Sequence, residues 1–194
     1  MQTPKMLTLA AITAALFSCP NSRAQTAYWI NSPGGEWNVP ANWNIDMSGL
    51  NAVPGVGTNA DIGSQIAAAV TYDTPMSAAS FASLAIQSGS SLDLNAAGFS
   101  VDNLELGGMP LMVNGILNVN SGGAATVTGG IASSVGANAL IHINGGSLIF
   151  SNSAALSLLT SSALTLDGGA LIGTNNTADF AFGEGTGSDA NAGV

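Results

Sequence analysis

After residue 23 the chain contains no lysine and no arginine. Both of its cations, Lys5 and Arg23, sit in the first 23 positions, while all eleven acids come later. A chain starting at Gln25 would carry a net charge of −11, which repels phosphate backbones and anionic lipid and excludes nucleic-acid and membrane-surface binding. Acidic sugars would find no cation either. Calcium is compatible with such a surface, but no Asp-rich calcium repeat occurs, so no cofactor is expected. The one cysteine, Cys19, precludes an intrachain disulfide. No zinc spacing or phosphate-cradling loop is present, and no apolar run approaches the twenty or so residues of a membrane-spanning helix. His142, the only imidazole, has no cysteine partner and cannot anchor a nucleophilic triad.

Only 7 % of residues are charged and 25 are glycine, and small residues dominate the rest. From Phe81 to Ile172 the chain is a ladder of short apolar-x-apolar pairs. They include Leu84/Ile86, Leu92/Leu94, Phe99/Val101, Leu104/Leu106, Leu111/Val113, Leu117/Val119, Ala125/Val127, Ile141/Ile143, Leu148/Phe150, Leu156/Leu158 and Leu164/Leu166. A period of two marks strands with one buried face. The pairs lie too close together for βαβ crossovers. Every third pair returns after about twenty residues: Leu84 to Leu104, Leu92 to Leu111, Phe99 to Leu117, Leu104 to Ala125. This predicts an all-β chain, a parallel β-solenoid with three short strands per rung of about twenty residues.

Glycine pairs (Gly107-Gly108, Gly122-Gly123, Gly129-Gly130, Gly145-Gly146, Gly168-Gly169) are expected at the corners, where positive φ is needed. The clearest internal repeat sets Ile141–Leu148 against Leu164–Leu171, 23 residues on. Asn144 and Asp167 hold equivalent turn positions, where side chains are expected to bond backbone amides. Residues 128–138 predict only a looser corner. Pro75 belongs in a turn, and Ala69–Tyr72 forms an entry strand. The residues between paired apolars should face water: Asp93, Ser100, Glu105, Met112, Asn118, Thr126, His142, Ser157 and Thr165.

Residues 1–24 have the layout of a secretory signal peptide, with Lys5 in the n-region, Met6–Phe17 as the apolar stretch and Ser22-Arg23-Ala24 at the cleavage site. Cleavage between Ala24 and Gln25 is expected. Lipoprotein processing at Cys19, after Leu16-Phe17-Ser18, is the rival. The chain is therefore expected outside the cytoplasm, secreted or on the outer surface of a bacterium.

All three tryptophans, Trp29, Trp37 and Trp43, fall within 15 residues of one another in segment 25–60. An indole is too large for a rung built of Leu and Ala, so this segment is expected to cover the open end of a solenoid spanning 61–173. The other reading is a tryptophan platform that contacts carbohydrate. Residues 174–194 form a polar tail in which Phe180 and Phe182 are the only bulky side chains, placed to act as a partial lid.

Gly35-Glu36-Trp37, Asn42-Trp43, Pro54-Gly55 and Ala60-Asp61-Ile62 resemble the opening of secreted bacterial autotransporter-associated β-strand-repeat proteins, including those with a PEP-type sorting signal. The likeness spans roughly 28–173. It implies a pectin-lyase-like right-handed β-helix acting as a passenger. The chain departs from the group in ending without a barrel, sorting signal or hydrophobic anchor, which is expected of the N-terminal piece of a longer design.

Two functions remain open. One is a structural or adhesive surface solenoid without catalysis, its partners extracellular glycans or cell-surface components. The other is a carbohydrate-binding or polysaccharide-processing module using the Trp cluster. A carboxylate-dependent hydrolase would need a pair such as Asp102 with Glu105, or Glu105 with Asp93, beside sugar-binding aromatics. The ladder holds no Trp or Tyr. Isolated Thr126 and Thr165 do not form the stacked array of an ice-binding face. The last rung, near Leu164–Ile172, is expected to self-associate through its open edge.

Export has a direct test. N-terminal sequencing of the exported protein should begin at Gln25, and an exported form that retains Lys5 would overturn the assignment.

Overall fold

The computed structural model describes residues 24–76, 79–102, 104–106, 115–128, 133–151, 156–159, 161–174 and 181–182. Among them the chain winds as a right-handed parallel β-solenoid, the hand that parallel crossovers take. The first turn supplies β1 (Thr26–Trp29) and β2 (Gly34–Glu36), then a 3-10 turn at Pro40–Asn42 and β3 (Trp43–Ile45). The second turn carries β4 (Asn59–Ile62), β5 (Ala69–Tyr72) and β6 (Ala79–Phe81). The third carries β7 (Ser83–Ile86), β8 (Ser91–Leu94) and β9 (Phe99–Val101). The fourth holds β10 (Leu104–Leu106), β11 (Ile116–Asn120) and β12 (Ala124–Val127), the fifth β13 (Ser133–Val135), β14 (Leu140–Asn144) and β15 (Ser147–Ser151). The sixth has β16 (Leu156–Leu158), β17 (Ala163–Asp167) and β18 (Ala170–Thr174), and β19 (Ala181–Phe182) opens a seventh.

Three sheets line the rod. Sheet A runs β3-β1-β4-β7-β10-β13-β16-β19, sheet B β2-β5-β8-β11-β14-β17, and sheet C β6-β9-β12-β15-β18. Every named pairing is parallel except β1 with β3. Parallel pairing without slippage puts like on like. Val70, Leu92, Leu117, Ile141 and Leu164 therefore form one inward row of sheet B. Phe81, Val101, Val127 and Phe150 form one in sheet C. Within these rows every side chain is fully buried except Leu164 of β17, which is partly exposed.

The expected rung pairings hold only in part. Leu84 does face Leu104, and the 23-residue step from Ile141 to Leu164 and Leu148 to Leu171 is as expected. Leu92, however, pairs with Leu117, Phe99 with Ala125, and Glu105 with Ser134, giving steps of 25, 26 and 29 residues. The expectation had counted Leu111/Val113 as a ladder strand. That pair lies outside the described residues, in the connection between β10 and β11. Hydrogen bonding fixes the strands and leaves the number of residues between them free, so a longer connection displaces every count that crosses it.

A strand was also missed: β13 lies inside the stretch expected to be a looser corner. Ser133 occupies its inward position, fully buried and opposite Leu156, so the apolar alternation is broken there. Glycine pairs do mark the corner between sheets B and C. Gly122 has φ +89°, and a Cβ on Gly123 would stand 2.1 Å from the Leu94 carbonyl oxygen of the previous turn. The first glycine makes the bend and the second lets the turns approach. Gly107-Gly108 and Gly129-Gly130 lie outside the described residues, as do residues 183–194. β19 continues sheet A within the expected tail, with Phe182 in register with Leu158.

The inward and outward assignment can be tested at adjacent residues. Leu117 is 1 % exposed, so Leu117→Asp should cost several kcal/mol through an unpaired buried charge. Asn118→Asp, a change on the outward face, should also destabilise, but by less. Asn118 Nδ2 donates to Asp93 Oδ1, and the change would set carboxylate against carboxylate, by about 1 kcal/mol. Urea unfolding should order the variants Leu117→Asp, Asn118→Asp, wild type; equal tolerance at the two positions would refute the register.

Candidate functional site

The residues proposed to contact carbohydrate are in the core. Trp29, Trp37 and Trp43 are each 0 % exposed. Trp29 projects inward from β1 in register with Ile62 and Ile86. Sheet C has no strand in the first turn, and the Trp37 ring occupies that end instead, with centroids 5.2 Å from both Phe81 and Phe99 and 4.6 Å from Trp43. Trp29 meets Trp43 edge-on at 5.0 Å, the geometry that aromatic quadrupoles favour. The indole faces are covered by one another, so none is presented to a sugar ring. The segment is thus both the first turn and its closure. The expectation that an indole would not fit the interior is corrected: Tyr72, Phe81, Phe99 and Phe150 are buried there as well.

The cluster is tied down by hydrogen bonds to backbone. Trp43 Nε1 donates to the Trp37 carbonyl at 2.8 Å, and Trp29 Nε1 donates to the Asn31 carbonyl. Trp37 Nε1 is buried without a hydrogen-bond partner.

The acids sit on or beside strands of three different sheets. Asp93 lies on β8 of sheet B, Asp102 follows β9 of sheet C, and Glu105 lies on β10 of sheet A between Ala85 and Ser134. Asp93 accepts from Asn118, and Asp102 Oδ1 accepts from Thr128 Oγ1 at 2.6 Å. Leu104 and Leu106 flank Glu105, and the side chains of all three lie outside what is described. His142 is half-buried in the outward row of sheet B between Asn118 and Thr165. Met112 and Cys19 fall outside the described residues. Ala24 and Gln25 are exposed, and the Gln25 carbonyl accepts the Asn59 N–H at 2.8 Å.

A feature missed in the sequence runs along the corner after sheet B. Asp73, Asn95, Asn120, Asn144 and Asp167 each directly follow an inward residue of that sheet. Asn95 Nδ2 donates to Asp73 Oδ1 at 2.5 Å, and Asn120 Nδ2 donates to Asn95 Oδ1 at 2.8 Å. The Asn95 and Asn120 amides thus bond sideways, from turn to turn. The signal was present as an Asn or Asp closing each apolar pair. Its lateral role becomes visible only once the register is known.

Among the described residues no group of three or more His, Cys, Asp and Glu is arranged to hold a metal ion. Comparisons with family models, with characterised proteins and with solved structures give no match to this chain.

The indole hydrogen bonds give an unequal pair of substitutions. Trp43→Phe would leave the buried Trp37 carbonyl without its donor, at about 1–3 kcal/mol. Trp37→Phe removes a donor that has no acceptor, and should be the milder change. Chemical denaturation of both variants checks this; a larger loss for Trp37→Phe would contradict the assignment.

Proposed function

We propose that this chain is a structural or adhesive rod of the bacterial exterior, of the passenger or stalk kind, acting through exposed length and surface without catalysis. The observation that carries this reading is the division of side chains in the solenoid. Its buried interior rows are apolar apart from the hydroxyls of Tyr72 and Ser133. The outward faces carry turn-to-turn polar rows such as Asp73–Asn95–Asn120, Asn59–Ser83 and Asp102–Thr128. At about 4.8 Å between neighbouring strands, the turns described make a rod roughly 30 Å long, and adding turns lengthens it without changing its surface.

Two further features support an exterior location. The N-terminal stretch has the layout of a secretory signal, and Gly35-Glu36-Trp37 with Asn42-Trp43 resembles the opening of autotransporter-associated repeats. Flat polar rows also suit weak, multivalent contact with extracellular glycans or cell-surface components.

Immunolabelling of intact cells that produce the chain should detect it without permeabilisation, and loss of the chain should reduce attachment of those cells to surfaces. Labelling only after permeabilisation would overturn the location. Unchanged attachment together with measurable glycan turnover by the purified chain would replace the rod with an enzyme.

A further inference from the structure

The two ends of the rod are finished differently. At the N-terminal end β3 covers β1 antiparallel. The carbonyls of β2 that face away from β5 accept side-chain amides: Asn31 Nδ2 donates to Gly34 O at 2.8 Å, and Asn42 Nδ2 to Glu36 O at 2.9 Å. Such devices blunt a sheet edge against further pairing.

Among the described residues the last strands at the other end are β17 in sheet B, β18 in sheet C and β19 in sheet A. The Ala170 N–H donates back to the Gly146 carbonyl at 2.9 Å. By strand alternation, Leu171 and Gly173 aim their backbone groups off the end of the rod. The outward surface changes there too. The central row of sheet C reads Ser80, Ser100, Thr126, Ile149, Ile172, hydroxylic until the last two turns and apolar at the edge. Ile172 is 36 % exposed, and β18 carries no charge that would keep two acidic chains apart.

We infer that this end is an interface for a second copy of the same chain, joined tail to tail about a twofold axis through sheet C. The strands follow one another around the rod in the order A, B, C, so β17, β18 and β19 form one rising step. A twofold axis beside β18 sets that strand antiparallel to β18 of the second copy. The same operation brings each β17 against the other copy's β19, and all three edges close together. Leu171 and Gly173 exchange hydrogen bonds across the axis, and the two Ile172 side chains meet in the closely spaced, non-hydrogen-bonded pair. The apolar row becomes continuous, Ile149–Ile172 of one copy running into Ile172–Ile149 of the other. A head-to-tail filament is disfavoured because β1 and β2 are already covered, so assembly stops at two.

Sedimentation equilibrium of the full chain, purified as the cell delivers it, should give a dimer. Ile172→Glu and Ile172→Lys should each weaken it by about tenfold or more through like charges meeting at the axis. An equimolar mixture of the two variants should restore it, as expected only of a residue that faces itself. Val56→Glu, at the opposite end, should leave the dimer intact, and circular dichroism confirms that each variant is folded. Hydrogen exchange requires no variant: the Leu171 and Gly173 amides should exchange more slowly as protein concentration rises. A monomer at the highest soluble concentration, an open-ended polymer, or a dimer indifferent to charge at Ile172 would each overturn the interface. Protection of those amides that does not depend on concentration would show that the chain covers its own edge.

Discussion

The parallel backbone ladder between successive turns is the constraint on which everything else in this protein depends. Strand alternation has a period of two, so a one-residue slip in any pairing would turn an inward row out to solvent. Once the register is set, the interior needs no individual complementarity between distant residues. Each Leu or Ile rests on the side chain one turn below it, as Leu117 rests between Leu92 and Ile141. The same ladder places Asn118 beside Asp93 and Asn120 beside Asn95, so the outward hydrogen bonds follow from pairing that the core has already fixed. No turn buries its rows alone, and stability accrues between neighbours.

That division explains what was legible in the sequence. Strand positions were, because Leu-x-Leu alternation is local and each pair records its own inward face. Turn assignment across the stretch between β10 and β11 was not. It depends on how many residues join the strands, which the ladder leaves free. The connection before β11 shifted the partners counted across it, while the later 23-residue step was read correctly. β13 escaped notice because Ser133 takes an inward place usually held by an apolar residue. The tryptophans were correctly assigned to the N-terminal end, but their burial is a consequence of geometry. The first turn has no sheet C strand, and the space this leaves is large enough for indole rings. A sequence shows that three Trp are close together without showing whether their faces are covered.

The same reasoning explains why the ends differ. A stack of turns has a problem at each terminus, since the last ladder is unpaired and the last inward row uncovered. At the N-terminal end both are resolved within the first turn, the rings filling the cross-section while β3 and two asparagine amides cover the edge. Leu164 and Leu171 at the other end are only partly buried against the core.

A chain with no lysine or arginine after residue 23 must stabilise its carboxylates without ion pairs to those cations, and it does so with neutral donors. Glu36 accepts from the Thr71 hydroxyl and the Asp73 N–H. Asp46 accepts the Thr26 N–H, Asp61 the Ser64 N–H, and Asp73 the Asn95 amide. Hydrogen bonds to a charged acceptor are stronger than neutral ones. Unlike surface ion pairs, they do not rely on a long-range attraction that salt screens. The carboxylates of Glu36 and Asp73 are thereby part of the lateral ladder between turns. Because each donor belongs to the same or the next turn, the surface charge is held by the same register that aligns the core.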